Sequence, residues 1–131
     1  MHSLVVEDDV VQRAVLRRFL KPYGPVDETA DARGALHAAR LASDAGRWYD
    51  LVMLDIHLPQ GDGRDVLAAW RRRERDLKLP PERCSRIIIC TADSADDLVN
   101  ASFHARCDAF LHKPVLRFDL VRHLRQMGLI D

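Results

Sequence analysis

Cysteine is scarce in this chain and awkwardly spaced. Cys84, Cys90 and Cys107 are odd in number and lack CxxC spacing, so neither a disulfide framework nor a thiolate metal site is expected. A reducing cytoplasm fits that usage best, and Cys90, inside RIIIC, reads as a small core hydrophobe. Long apolar runs are missing too. None approaches the ~20 residues of a membrane-crossing helix, and MHSLVVEDD meets acid too early to serve as a secretory signal. Excess charge is absent: Lys+Arg and Asp+Glu number 20 each, for a formal net charge of zero. No bulk attraction toward nucleic acid or an anionic membrane follows. The basic run Arg71-Arg72-Arg73 reads as a solvated helix face. No linker, repeat or low-complexity segment interrupts the 131 residues, which predict one domain, 1–131, with no output domain.

What is present is a regular alternation. SLVV (3–6) is a short apolar run, followed by a helical pattern over 10–20 with Val11, Val15 and Phe19 as its apolar face. A weak strand covers Val26–Thr29. The alanine-rich segment 30–46 predicts a helix with Asp31 as N-cap and Gly46 as its stop. LVMLD (51–55) is a strand buried on both faces, and 63–77 a helix presenting Val66, Leu67 and Trp70. Trp48 and Trp70 read as packing residues. RIIIC (86–90) is the clearest buried strand. A helix begins at Ser94 with Asp97 as an approximate capping box, AFLH (109–112) is the fifth strand, and Arg117–Met127 the last helix. Five strands alternating with five helices predict a doubly wound parallel α/β sheet with helices on both faces.

Polar residues then fall at the strand ends. The first strand runs into Glu7-Asp8-Asp9, the third ends at Asp55, the fourth at Thr91 and the fifth at Lys113. Carboxyl ends of a doubly wound sheet share one edge, where ligands bind at the topological switch point. With strand order 2-1-3-4-5, Glu7, Asp8 and Asp55 crowd into one crevice, with Thr91 and Lys113 across from them. Three adjacent carboxylates repel one another, and Mg²⁺, which prefers oxygen ligands, resolves the conflict. Lys113 adds a fixed cation and Thr91 a hydroxyl donor, a set suited to phosphoryl transfer. Asp55 has no nearby nucleophile to activate, so it reads as the nucleophile itself. Taken singly, a strand-end Asp is more often a turn or cap residue, and an acidic triplet a first-turn helix signal. His57 and His112 near the crevice read as rim residues rather than ligands of a transition metal.

LVVEDD, LDIHLPQGDG, Thr91-Ala92 and AFLHKP together resemble the response-regulator receiver domain of two-component signalling, over essentially the whole chain. The resemblance implies a flavodoxin-like fold that takes a phosphoryl group from a histidine kinase. It implies Asp55 as phosphoacceptor, Asp8 as a direct Mg²⁺ ligand, Glu7 acting through water, and the His57 backbone carbonyl as a further ligand. Thr91 and Lys113 would bind phosphoryl oxygens, Lys113-Pro114 would be cis, and Phe110 would be the aromatic switch. Partners would be a histidine kinase or phosphotransfer protein, and a target on the face of the fourth helix, fifth strand and fifth helix. There are departures: Arg106 replaces a usual glycine, Leu58 a commoner methionine, and LKLPPERCS is a longer loop than usual. His57 and Asp93 occupy positions that tune phosphoryl lifetime. The ending MGLID resembles stand-alone, chemotaxis-like regulators, or a receiver cut from a larger protein. Rival readings are a haloacid-dehalogenase-type phosphatase, which wants Asp-x-Asp where this chain has Asp55-Ile56-His57, and an unphosphorylated pseudo-receiver interaction module.

Overall fold

A computed structural model describes residues 1–92 and 106–131. The helix expected from Ser94, with Asp93, Asp97 and His104, lies outside the described residues. The elements are β1 (Ser3–Val6), α1 (Val10–Leu20), β2 (Val26–Thr29), α2 (Ala32–Asp44), β3 (Leu51–Asp55), β4 (His57–Leu58), β5 (Gly61–Asp62), α3 (Gly63–Asp76), β6 (Arg86–Thr91), β7 (Ala109–His112) and α4 (Arg117–Gln126). Short 3-10 turns at Lys21–Tyr23 and Pro81–Arg83 use the prolines that end the preceding helical stretches.

Apolar runs form the sheet. β1 and β3 are buried at every position, and β6 at all but its first. Such continuous burial requires cover on both faces, and helical connections supply it. The five strands are parallel in the order β2-β1-β3-β6-β7, which is the expected 2-1-3-4-5 once the two-residue β4 and β5 are set aside. One face packs Leu4, Val52, Leu54, Ile87 and Ile89 against α2 and α3. The other packs Val5, Met53 and Ile88 against Leu16 and Leu20 of α1 and Leu120 and Leu124 of α4. This is the flavodoxin-like architecture, with four α-helices among the described residues. Among those residues no helix is long and apolar enough to cross a membrane.

Asp31 caps α2 by accepting from Gly34 N at 2.7 Å, as its position predicts, and Gly46 follows the helix end with φ +67°. Two other readings change. α1 does not bury Val11 and Val15, which are 71% and 38% exposed. Its phase is set by the Asp9 cap, and the i, i+4 pair Leu16 and Leu20 reaches the sheet, with Phe19 partly buried beside it.

Arg71 is the second correction, because it is not solvated. Its Nη1 donates to Glu74 Oε1 and to the Ser85 carbonyl, both at 2.7 Å. Its Nε donates to the Arg106 carbonyl at 2.8 Å, and its Nη2 to Asp108 Oδ2 at 3.1 Å. Glu74 is buried and accepts further bonds from Trp48 Nε1 and Ser85 N, while Trp70 Nε1 donates to Ser85 Oγ. A buried carboxylate so arranged requires its cation, since removing one partner strands the other charge. Arg71→Ala is therefore expected to lower unfolding stability by about 3 kcal/mol in urea titration, and Arg72→Ala, on the exposed side, by less than about 0.5 kcal/mol. Equal small losses would show that the network is not holding α3 to the sheet.

Candidate functional site

The strand ends converge as the topology requires. Val6 pairs with Leu54 and Asp55 with Cys90, so the residues after β1 and at the end of β3 lie on one edge. Glu7 and Asp55 are buried and Asp8 is exposed. The triplet is divided by role: Asp9 caps α1 through Gln12 N at 2.9 Å, and it is Glu7 and Asp8 that face Asp55. One carboxylate oxygen from each of Glu7, Asp8 and Asp55 lies within 4.8 Å of the others.

Lys113, just after β7, reaches across the sheet into this cluster. Its Nζ is 2.6 Å from Glu7 Oε1 and 2.9 Å from Asp55 Oδ2. Burial acts to lower its pKa, but the hydrogen bonds to Glu7 and Asp55 prevail and hold it above the ordinary lysine value. Burial pushes Glu7 above the usual carboxylate range, against the opposing pull of the Lys113 hydrogen bond and the Asp9 amide. Glu7 is held at both its carboxylate and its main chain. Asp9 N donates to its Oε2 at 3.2 Å, and Arg13 Nη1 donates to its backbone carbonyl at 2.9 Å. The partner of Oε1 is the Lys113 ammonium, 2.6 Å away. Three carboxylates gathered at one sheet edge, two of them buried, offer the all-oxygen chemistry that Mg²⁺ selects.

Asp55 is fixed from its other side. His57 N donates to Asp55 Oδ1 at 3.1 Å, leaving the exposed His57 at the rim. His112 is likewise exposed, and neither joins a metal-ligand cluster among the described residues. Cys90, Asp55's partner in the next strand, is a core residue whose thiol is pushed up to about 12 by burial. Thr91 is buried at the end of β6, paired in register with His112 of β7. Phe110 is partly buried and packs on the α2–α3 side of the core. The Lys113-Pro114 peptide is cis.

Gly63 is a site residue that reading the sequence missed. Its N donates to the Ile56 carbonyl at 2.8 Å, and a Cβ there would lie 2.3 Å from the Asp55 carbonyl oxygen. Only glycine lets α3 begin so close to the backbone of Asp55. The signal available was the GDG after the β3 turn, since glycine recurs where backbones must touch.

Comparison with known proteins agrees with this arrangement. Residues 3–125 match the family model of the response regulator receiver domain. The chain is 31% identical over 126 residues to a hybrid signal transduction histidine kinase of Dictyostelium discoideum, covering 95% of this chain but only 7% of that protein. It is 32% identical over 112 residues to a two-component response regulator of Oryza sativa, covering 86% and 82% of the two chains. Among solved structures, the receiver domain of a sensor histidine kinase from Pseudomonas aeruginosa superposes with a TM-score of 0.74. It has 28% identity, with 97% of each chain covered, and that structure is described as having magnesium coordinated in its active site cleft. Sheet order, strand-end chemistry and matched span all coincide, and this chain belongs to the response regulator receiver family of two-component signalling.

Proposed function

We propose that this receiver accepts a phosphoryl group from a phosphohistidine onto Asp55 in the presence of Mg²⁺. The observation that carries the reading is the strand-edge cluster itself: three carboxylates within 4.8 Å, with a lysine ammonium 2.9 Å from the one placed to react. An Asp55 carboxylate oxygen attacks phosphorus, the P–N bond to the donor imidazole breaks, and the electron pair leaves with that nitrogen. Glu7, Asp8, Asp55 and the His57 backbone carbonyl would hold the metal, with Glu7 acting through water. When bound, Mg²⁺ supplies charge neutralisation to the phosphoryl oxygens. Lys113 keeps its proton throughout and shifts from carboxylate partner to phosphoryl partner. The Thr91 hydroxyl donates to a second phosphoryl oxygen. The chain acts on no external substrate in this scheme; it supports only its own phosphorylation and dephosphorylation.

Phosphorylation adds about −1.5 to −2 charge at a crowded edge. Thr91 is drawn toward it and Phe110 repacks, which alters the surface around β7 and α4 that a target protein reads. The phosphoryl donor is a histidine kinase or histidine phosphotransfer protein. Free thiols at Cys84, Cys90 and Cys107 support a cytoplasmic location.

Intact mass after incubation with acetyl phosphate and Mg²⁺ is expected to rise by one phosphoryl group. The gain should disappear with EDTA and in Asp55→Asn. No gain under any condition would favour the unphosphorylated interaction module and end this reading.

Metal binding is testable without phosphorylation. Mg²⁺ at ten times its dissociation constant is expected to raise unfolding stability by about 1.4 kcal/mol. The increment should be reversed by EDTA and largely lost in Asp8→Asn. An unchanged melting curve would refute a metal site at Glu7, Asp8 and Asp55.

A further inference from the structure

We propose that the outer flank of α4 is a docking groove for an acidic amphipathic helix of a partner protein. The groove has a volume of about 510 Å³ and is lined by Arg117, Phe118, Val121, Arg122 and Arg125, with Tyr23 from the turn after α1. α4 turns Leu120 and Leu124 into the core, so the sheet does not need Phe118. Yet Phe118 is the most exposed large hydrophobic side chain among the described residues, at 76%. Phe118, Val121, Arg122 and Arg125 are spaced i, i+3, i+4 and i+7, which makes them one continuous stripe of the helix.

The charge of the groove selects its occupant. Three guanidinium groups line it and no carboxylate does. Arg117 has no acidic partner among the described residues. Arg122 has only Asp119 at 3.6 Å, and the Nε of Arg125 donates to the backbone carbonyl of Asp131 at 3.2 Å. The chain as a whole is neutral, so this excess is local and is offset elsewhere, at the carboxyl edge of the sheet among other places. A partner helix with apolar residues on one face and Glu or Asp along its borders would cover Phe118 and Val121 and pair with the arginines. A nucleic acid duplex would use three cations and leave the apolar stripe in water. A bilayer would gain one aromatic anchor from a concave surface, too little for stable binding. The inference does not rest on phosphorylation of Asp55.

The test uses the full chain and a fluorescently labelled synthetic peptide with leucines at i, i+3, i+4 and i+7 spacing and glutamates on the borders. Fluorescence anisotropy should show binding that weakens as sodium chloride is raised. Phe118→Ala and Arg122→Glu should each reduce affinity about tenfold or more, and Arg122→Lys much less. Because both residues lie on an exposed helix flank, circular dichroism and Asp55 labelling by acetyl phosphate should be unchanged in these variants. The same peptide with lysine for glutamate should not bind. The proposal is overturned if the acidic peptide does not bind, or if both variants bind it as wild type does. It is equally overturned if a DNA duplex or phosphatidylglycerol vesicles bind more tightly than the peptide through these residues.

Discussion

The structure of the site depends on one ammonium group. In the order β2-β1-β3-β6-β7, Lys113 follows the edge strand β7, Asp55 ends a strand two places away, and Glu7 follows one three places away. Neighbouring strands lie about 4.8 Å apart, so the three side chains that meet at this ammonium come from strand ends spread over on the order of 14 Å of sheet edge. Glu7 is buried, and its carboxyl is pushed toward protonation by the loss of water. Without the lysine, two buried acids would face each other with nothing between them, and a buried charge lacking its counter-ion is among the most destabilising arrangements a fold can hold. The cation therefore makes an acidic crevice tolerable on its own. It also means that any cation bound there would compete with an existing partner.

The opposite edge of the same sheet solves the same problem differently. There the buried acid is Glu74, and its cation, Arg71, comes from the same helix three residues earlier. Every nitrogen of that guanidinium has a partner, two of them backbone carbonyls. Arginine's fixed fork suits a joint that is meant to stay closed, whereas lysine is a compact point charge that can change partners without changing shape. The chemistry of the two cations thus differs between the two ends of one sheet, a fully bonded fork at one and a point charge at the other.

Much of this was legible from the order of residues, and the reasons are specific. Runs such as LVMLD and RIIIC can be satisfied only by burial on both faces, so the parallel sheet follows from apolar content and alternation with helices, while its order comes from the doubly wound fold class. Once that order is known, Glu7, Asp8, Asp55, Thr91 and Lys113 have to share an edge. What escaped the reading depends on distances between elements. Val11 and Val15 look like a core face, but the Asp9 cap sets a different phase and Leu16 and Leu20 take the sheet. Arg71 looks little different from Arg72, because only tertiary contact reveals that Ser85, Arg106 and Asp108 lie beside it and that Glu74, three residues on, is buried. Caps such as Asp31 are local and were readable, whereas a backbone touching another backbone is not.

The close approach at Gly63 has a consequence for how such a site could be moved or copied. The carbonyl of Asp55 lies against the first turn of α3, with no room for even a methyl group between them. The position of Asp55 is therefore set by main chain on main chain, through a contact in which no side chain takes part. Grafting the five polar residues onto another parallel sheet would reproduce the functional groups but not the surface that seats them. A transplant would have to bring the β3-to-α3 connection with it, glycine included, as a single unit of heredity.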